Sequence, residues 1–381
     1  MFWEREANRD DPKWTDLARL AGGRAPVAVL GATGSVGQRF VQLLADHPWF
    51  EVRALTASES SAGKPYGEAV AWAQTTPLPP AIAALEVRST DAASAAACRA
   101  EGCRLVFSAL DPSVAGEAET AFAEAGCTVV SNARSHRMDP DVPLLVPEVN
   151  ADHLALLRRQ RFASGGAILT NPNCSTIGLV LALKPLVKAF GVARVHVVTM
   201  QALSGAGLPG VPAASAVDNL IPYIGGEEEK LETETRKILG RLDDGRIEEH
   251  EIAISAACNR VPVIDGHTLC VSVELEAKAS PADLRKAWET FSGQPQLLSL
   301  PIAPAQPVHY LDAPDAPQPR LHRDLERGMA ITVGRLRPCN LFDYKFVTLS
   351  HNTLRGAAGG SLLVAELAIA RGYVDGLKVE Q

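Results

Sequence analysis

Through the first half of the chain, short apolar runs alternate with stretches of helical periodicity. Residues 26–30 form a continuous apolar run, the pattern of a strand buried on both faces. A glycine-rich turn follows at once, and residues 38–45 then carry a helical spacing of apolar positions. Further strands are expected at 50–56, 104–110 and 127–131, with alanine-rich helical stretches between them and a proline-bounded loop at 75–80. Alternation of this kind implies right-handed crossovers and a parallel, doubly wound sheet.

After about Pro172 the pattern changes. Residues 177–190 read as a helix kinked at Pro185, and longer alternating segments follow at 194–202, 250–258, 267–277 and 329–337. These suit a mixed or antiparallel sheet with one face buried. Residues 301–319 read as a proline-rich extended connection, and 360–371 as an apolar helix that must pack against something large. The expected fold is α/β, a Rossmann-like doubly wound parallel sheet plus an α+β domain with a mixed sheet. The first domain is read as residues 1–172 plus 350–381, with 1–25 an extension of no assigned role, and the second as 173–349.

Composition narrows the classes. A chain of 381 residues with 46% hydrophobic and 21% charged residues buries a core without disulfides or a structural metal. Its net charge of −7 argues against a nucleic-acid partner, which needs a basic face. No apolar run reaches the roughly 20 residues that span a bilayer, and the first 24 residues lack the apolar core of a signal peptide. The seven cysteines are odd in number and form no C-x-x-C pair, which favours a reducing compartment, the cytoplasm by default. No metal site is expected. Six of the cysteines, 98, 103, 127, 258, 270 and 339, read as small packing residues.

Gly31, Gly34 and Gly37 follow G-x-x-G-x-x-G between a buried strand and a helix. That context lets backbone N–H groups and a helix N-terminus approach a dinucleotide pyrophosphate. The second strand ends in Ser58, Glu59, Ser60 and Ser61 with Lys64 beyond, a set of hydroxyls and a cation that suits a 2′-phosphate better than a free 2′-OH, although Glu59 would repel it if turned inward. NADP is therefore favoured.

Asn171-Pro-Asn-Cys174-Ser-Thr176 carries the chemistry. Cys174 is expected at a helix N-terminus, where the macrodipole lowers a thiol's pKa, with Asn173, Ser175 and Thr176 as capping groups. A nucleophilic thiol beside a nicotinamide implies aldehyde chemistry through a thioester. Arg260 and His267 on one short segment offer a carboxylate clamp and a base, although a lone strand-end histidine is more often structural.

The segments GATGSVGQRF, ASESSAGK, VPEVN, NPNCST, QALSGAG, IPYIGGEEEK, NRVPVIDGH and NTLRGAAGG occur in this order. Together they resemble the archaeal and fungal branch of the aspartate-semialdehyde dehydrogenases, over residues 26–375. The resemblance implies NADPH-dependent reductive dephosphorylation of L-4-aspartyl phosphate to L-aspartate 4-semialdehyde, on the route to lysine, threonine, methionine and isoleucine. It implies Cys174 as nucleophile, His267 as acid/base and Gln201 as the residue orienting the intermediate. Arg260 would bind the substrate carboxylate, Glu227 and Lys230 its amine and phosphate, and Arg137 the phosphate; Glu228 and Glu229 compete with Glu227 for that role. Cofactor contacts would come from Gly31, Thr33, Gly34, Ser35, Val36, Gly37, Ser58, Ser60, Ser61, Ser108, Ser175, Gly178 and Asn352. Close relatives place an arginine where this chain has Ser60, so NAD could be tolerated. The oxyanion would be held by the Asn173 N–H groups or the helix N-terminus. The second domain would be catalytic and would carry dimerisation, giving a homodimer or homotetramer that acts on small molecules, with neither nucleic acid nor membrane as partner.

Two further enzymes remain open at this point, a malonyl-CoA reductase with the same Cys/His machinery and N-acetyl-glutamyl-phosphate reductase, whose motifs match less well. A nucleotide-binding regulator with a dead site is disfavoured by the joint presence of Cys174, Gln201, Arg260 and His267.

Overall fold

Six short strands, each closed by a turn or helix start, build the first sheet. They are β1 (Ala25–Leu30), β2 (Phe50–Ala57), β3 (Val87–Ser89), β4 (Leu105–Ser108), β5 (Thr128–Ser131) and β6 (Ala167–Thr170). All pair in parallel in the order β3-β2-β1-β4-β5-β6, which makes this the doubly wound half of an α/β fold. Helices α1 (Ser35–Leu44), α2 (Ala92–Ala100) and α3 (Pro112–Glu124) provide crossovers; α2 and α3 are capped by the Asp91 and Asp111 carboxylates. The computed structural model describes residues 19–380, so most of the extension read at 1–25 lies outside the described residues.

The second half begins with α4 (Cys174–Phe190), which runs unbroken through Pro185. Its mixed sheet contains β7 (Val192–Gln201), β10 (Ala253–Arg260), β11 (His267–Leu275), β12 (Val308–Leu311), β13 (Ile331–Pro338) and β14 (Tyr344–Ser350), ordered β10-β7-β11-β14-β13-β12. Strands β8 (Arg241–Asp243) and β9 (Arg246–Glu248) form a separate hairpin. Helix α5 (Glu227–Leu239) crosses near α4, and α6 (Pro281–Glu289) packs Trp288 into the core, its indole N–H donating to Ala182 O at 2.8 Å. Residues Ile177 to Leu186 of α4 share one core with Val195, Val197, Leu269, Val271 and Phe346.

Two expectations shift. The connection at 301–319 is not wholly extended coil, because β12 pairs in parallel with β13 along residues 308–311. The strand expected at 250–258 runs instead over 253–260, held by its pairing with β7 from Arg194 to Gln201.

The chain then returns to the first half. A π-helical turn, Leu354–Ala358, leads into α7 (Gly359–Ala370), whose residues are buried on every side up to Ile369. Leu362, Leu363 and Leu367 join Val27, Val29, Phe40 and Phe107 in one core. An all-round apolar helix can be stable only inside such a shell. Among the described residues no helix is long and apolar enough to cross a membrane.

Candidate active site

Cys174 opens α4, and Asn173 caps it: the Asn173 Oδ1 accepts from the Ser175 N–H at 2.9 Å and the Thr176 N–H at 3.4 Å. The helix therefore starts three residues earlier than its apolar spacing indicates. The Cys174 Sγ lies 3.1 Å from His267 Nε2, although 93 residues separate them. His267 begins β11, and the Ala202 N–H donates to its Nδ1 at 3.0 Å. That donor fixes the neutral ring's proton on Nε2, the nitrogen that faces sulfur.

The electrostatics correct the lowered thiol pKa expected at the helix N-terminus. Burial, then Glu227, push the Cys174 thiol up to about 12, outweighing Arg137, Arg260 and the Ser175 amide. Burial and the neighbouring Arg260 hold His267 down at about 3. The resting pair is a neutral thiol and a neutral imidazole, because the desolvated setting opposes charge more than the helix end favours it.

Glu227 is the polar centre of the site. Its carboxylate accepts from the Asn173 side-chain amide at 2.8 and 3.0 Å, from Gln201 Nε2 at 3.1 Å and from Lys230 Nζ at 2.7 Å. Lys230 and these hydrogen bonds hold the carboxyl below its ordinary range despite burial. Glu228 instead accepts from the Cys258 N–H, so the geometry singles out Glu227 among the three neighbouring acids. Arg260, at the end of β10, donates to Ala202 O at 2.7 Å, and Gly205 sits over it: a Cβ there would lie 2.9 Å from the Arg260 Nη1 and 3.1 Å from the His267 Cε1.

Arg137 reaches the same region from the loop after β5. Its Nη1 donates to Glu234 at 2.8 Å and its Nη2 to Asn132 O at 2.7 Å, while its buried Nε has no hydrogen-bond partner among the described residues. Asn173 is not free to hold an oxyanion. Its backbone N–H donates to Glu234 Oε2 at 2.7 Å and its side-chain amide is committed to Glu227, so the oxyanion role expected of it is withdrawn.

The glycine turn is built for close approach. Gly31 has φ +68, and a Cβ there would meet Ala109 O at 2.7 Å; one on Gly37 would meet Gly31 O at 2.2 Å. Gly34 is less crowded, with its nearest neighbour at 3.5 Å, and it begins α1 without a side-chain cap. Thr33, Ser35 and Val36 lie within this turn. An uncrowded backbone before uncapped helical N–H groups fits an anionic dinucleotide. Ser58 and Ser60 hydroxyls are 2.9 Å apart, Ser61 follows in the same turn, and Lys64 Nζ donates to Ser60 O at 2.8 Å. The loop from Leu203 to Gly207 links the two regions, since a Cβ at Gly207 would lie 3.8 Å from the Ser35 Oγ.

Other expected cofactor residues have defined neighbours of their own. Ser108 Oγ donates to the buried Glu119 at 2.6 Å. Gly178 allows α4 to approach β14, its notional Cβ 2.9 Å from the Ser350 Oγ. Asn352 accepts from the Gly266 N–H at 2.9 Å and donates to the Ser204 Oγ at 2.8 Å, fixing the turn before His267. Ser175 is fully buried with its hydroxyl unpartnered among the described residues.

Of the six packing cysteines, Cys98, Cys103, Cys127 and Cys258 are buried, whereas Cys270 is exposed and Cys339 half-buried. Cys270 pairs with Val198 on the open face of the mixed sheet, so its apolar strand context does not imply burial. Among the described residues no group of three or more His, Cys, Asp or Glu is placed to hold a metal.

A dinucleotide-type sheet joined to a mixed sheet, with a Cys/His pair at the junction, is the arrangement of the two-domain semialdehyde dehydrogenases. Two family profiles match accordingly, the semialdehyde dehydrogenase NAD binding domain over residues 26–157 and the semialdehyde dehydrogenase dimerisation domain over 183–355. Aspartate-semialdehyde dehydrogenase from Methanothermobacter thermautotrophicus is 50% identical over 90% of this chain and 98% of its own length. That of Schizosaccharomyces pombe is 48% identical over 91% of this chain and 99% of its own. A crystal structure of aspartate semialdehyde dehydrogenase with NADP from Candida albicans superposes with a TM-score of 0.83 at 44% identity, covering 92% of this chain and 100% of that one. The chain belongs to the aspartate-semialdehyde dehydrogenase family.

Proposed function

We propose that the protein carries out NADPH-dependent reduction of L-4-aspartyl phosphate to L-aspartate 4-semialdehyde through a thioester on Cys174. The observation that carries this reading is the Cys174–His267 contact of 3.1 Å within a buried cluster that also holds Gln201, Glu227 and Arg260. Cys174 attacks the acyl carbon and phosphate departs. The His267 Nε2–H is given to the departing phosphate oxygen and the thiol proton takes its place on Nε2, so the thiol proton leaves in effect as hydrogen phosphate while Nδ1 stays tied to the Ala202 amide. The bound nicotinamide supplies the hydride that reduces the thioester. The tetrahedral oxyanion so formed collapses to the aldehyde and expels the Cys174 thiolate, which the His267 Nε2–H steadies until a proton from solvent restores the thiol.

Arg260 suits the α-carboxylate as a planar fork, and Glu227 the α-amine. Arg137 and Lys230 suit the phosphoryl oxygens as the cations of the site. With Asn173 committed, the amide of Cys174 itself is the oxyanion donor. Gln201, 1% exposed and braced by Thr199 at 3.0 Å, orients the acyl group.

The glycine turn and the Ser58–Ser61 segment hold NADP, with NAD tolerated for want of an arginine at Ser60. The nucleotide unit is read as 1–172 with 350–381, residues 1–25 being an extension of no assigned role, and the catalytic unit as 173–349; among the described residues the core that α7 shares with β1 supports this division. A second copy covers the open face of the mixed sheet around Val198 and Cys270. A working thiol needs a reducing compartment, for which the cytoplasm is the natural setting. Relatives named for the semialdehyde activity favour the aspartyl substrate over malonyl-CoA.

The test is NADPH consumption with aspartyl phosphate, with malonyl-CoA and with neither. Turnover only with aspartyl phosphate is expected, and Cys174→Ala abolishes it while leaving NADPH binding intact. Preference for malonyl-CoA, or activity surviving Cys174→Ala, would overturn the reading.

A further inference from the structure

Four polar residues of α5 point to one side at positions 227, 230, 234 and 237, two helical turns and more along a single face. The first two have roles above. Glu234, 2% exposed, splits its carboxylate between two parts of the site. One oxygen accepts from the guanidinium of Arg137 at 2.8 Å, the other from the backbone N–H of Asn173 at 2.7 Å, directly before the nucleophile. One turn further on, Lys237 Nζ donates to the carbonyls of Arg137, Asp139 and Val142 at 2.7, 2.8 and 3.0 Å, pinning the loop that carries Arg137.

We propose that Glu234 is a positioning residue that locks the phosphate-binding guanidinium of Arg137 to the turn bearing Cys174. This rests on the reading of Arg137 as the phosphate ligand. A bidentate link of this kind fixes the spacing between the acyl carbon's attacker and the group that receives its leaving phosphate. With the Asn132 carbonyl on Nη2, it also fixes the plane in which the guanidinium lies. Glutamine at 234 keeps the shape but must present an N–H to one of two donors, so one link is lost and the other weakened.

The reverse reaction separates the roles, because acylation and hydride transfer precede the entry of phosphate. Wild type, Glu234→Gln and Glu234→Asp are mixed with semialdehyde and NADP, and the NADPH burst is read without phosphate, then the steady state against inorganic phosphate. The expected result for Glu234→Gln is a burst amplitude equal to wild type and a KM for phosphate raised roughly tenfold or more, the loss typical of one charge-assisted hydrogen bond. The KM for semialdehyde stays within about twofold. Glu234→Asp, which keeps the charge but shortens the reach, falls between. An unchanged phosphate KM in both variants overturns the proposal, as does a loss of burst with phosphate KM unaltered. If Arg137→Ala leaves the phosphate KM untouched, the reading of Arg137 fails, an outcome distinct from failure at Glu234.

Discussion

Replacing Arg355 by methionine tests the joint between the returning chain and the first half. Arg355 lies in the π-helical turn and donates in parallel to both oxygens of Glu148, at 2.8 and 2.5 Å, with the two side chains 1% and 0% exposed. Methionine keeps the aliphatic bulk but strands a carboxylate in a dry interior. Removing one member of a buried pair costs about 3–5 kcal/mol, a large share of a typical total near 5–15 kcal/mol. Taking Glu148 to methionine as well removes the stranded charge, so the double variant recovers most of that loss. The assay is urea unfolding followed by circular dichroism at one protein concentration, because subunit association feeds into apparent stability. A midpoint loss of less than about 1 kcal/mol in Arg355→Met, or a double variant no better than the single, would refute the reasoning.

Gly205→Ala introduces a Cβ 2.9 Å from the Arg260 Nη1 and 3.3 Å from the His267 Nε2. It should lower kcat/KM about 10- to 100-fold through misplacement of the imidazole, with the thermal midpoint nearly constant; full activity would mean the loop does not pack over the pair. Burial draws Lys237 from 10.5 to about 8, against Asp139, Glu249 and Glu234. The folded chain then sheds this proton before the unfolded one does, so the residue's contribution to stability rises with pH between those values. The deficit of Lys237→Met relative to wild type should therefore grow by roughly 3 kcal/mol from pH 7.5 to 10.5, and a deficit constant across that range in urea unfolding would contradict it.

Strands β1, β2, β4 and β5 are readable in the chain because each is an apolar run ended by a turn, whereas β3 is the short Val-Arg-Ser and carries no such signal. Residues 50–56 were expected and Phe50–Ala57 is found. The start of α4 is legible from its cap rather than its apolar spacing: the periodicity begins at Ile177, but Asn173 before the polar Cys-Ser-Thr marks the N-terminus where it is found. Cys174, Gln201, Glu227, Arg260 and His267 do converge, but their family motifs carried that expectation and spacing alone does not. The protonation of the pair is not legible, since it depends on how much water the fold excludes. Glu234 was missed because a charge on a charged helix ordinarily reads as a solvated face. Its place seven residues beyond Glu227 was the available signal, two turns along the same side.

The return of the chain also sets the order in which the protein can become active during synthesis. A Cβ at Gly356 would touch the Cys174 Cβ at 2.7 Å and one at Gly360 would meet Asn171 at 2.8 Å, so the wall behind the nucleophile comes from residues made nearly two hundred positions later. A nascent chain that has already folded its first sheet still lacks that wall until the π-helical turn and the start of α7 are made. The complete site is thereby withheld from incomplete chains, and a chain ending before the π-helical turn would lack the wall behind its nucleophile, however well its earlier strands had paired.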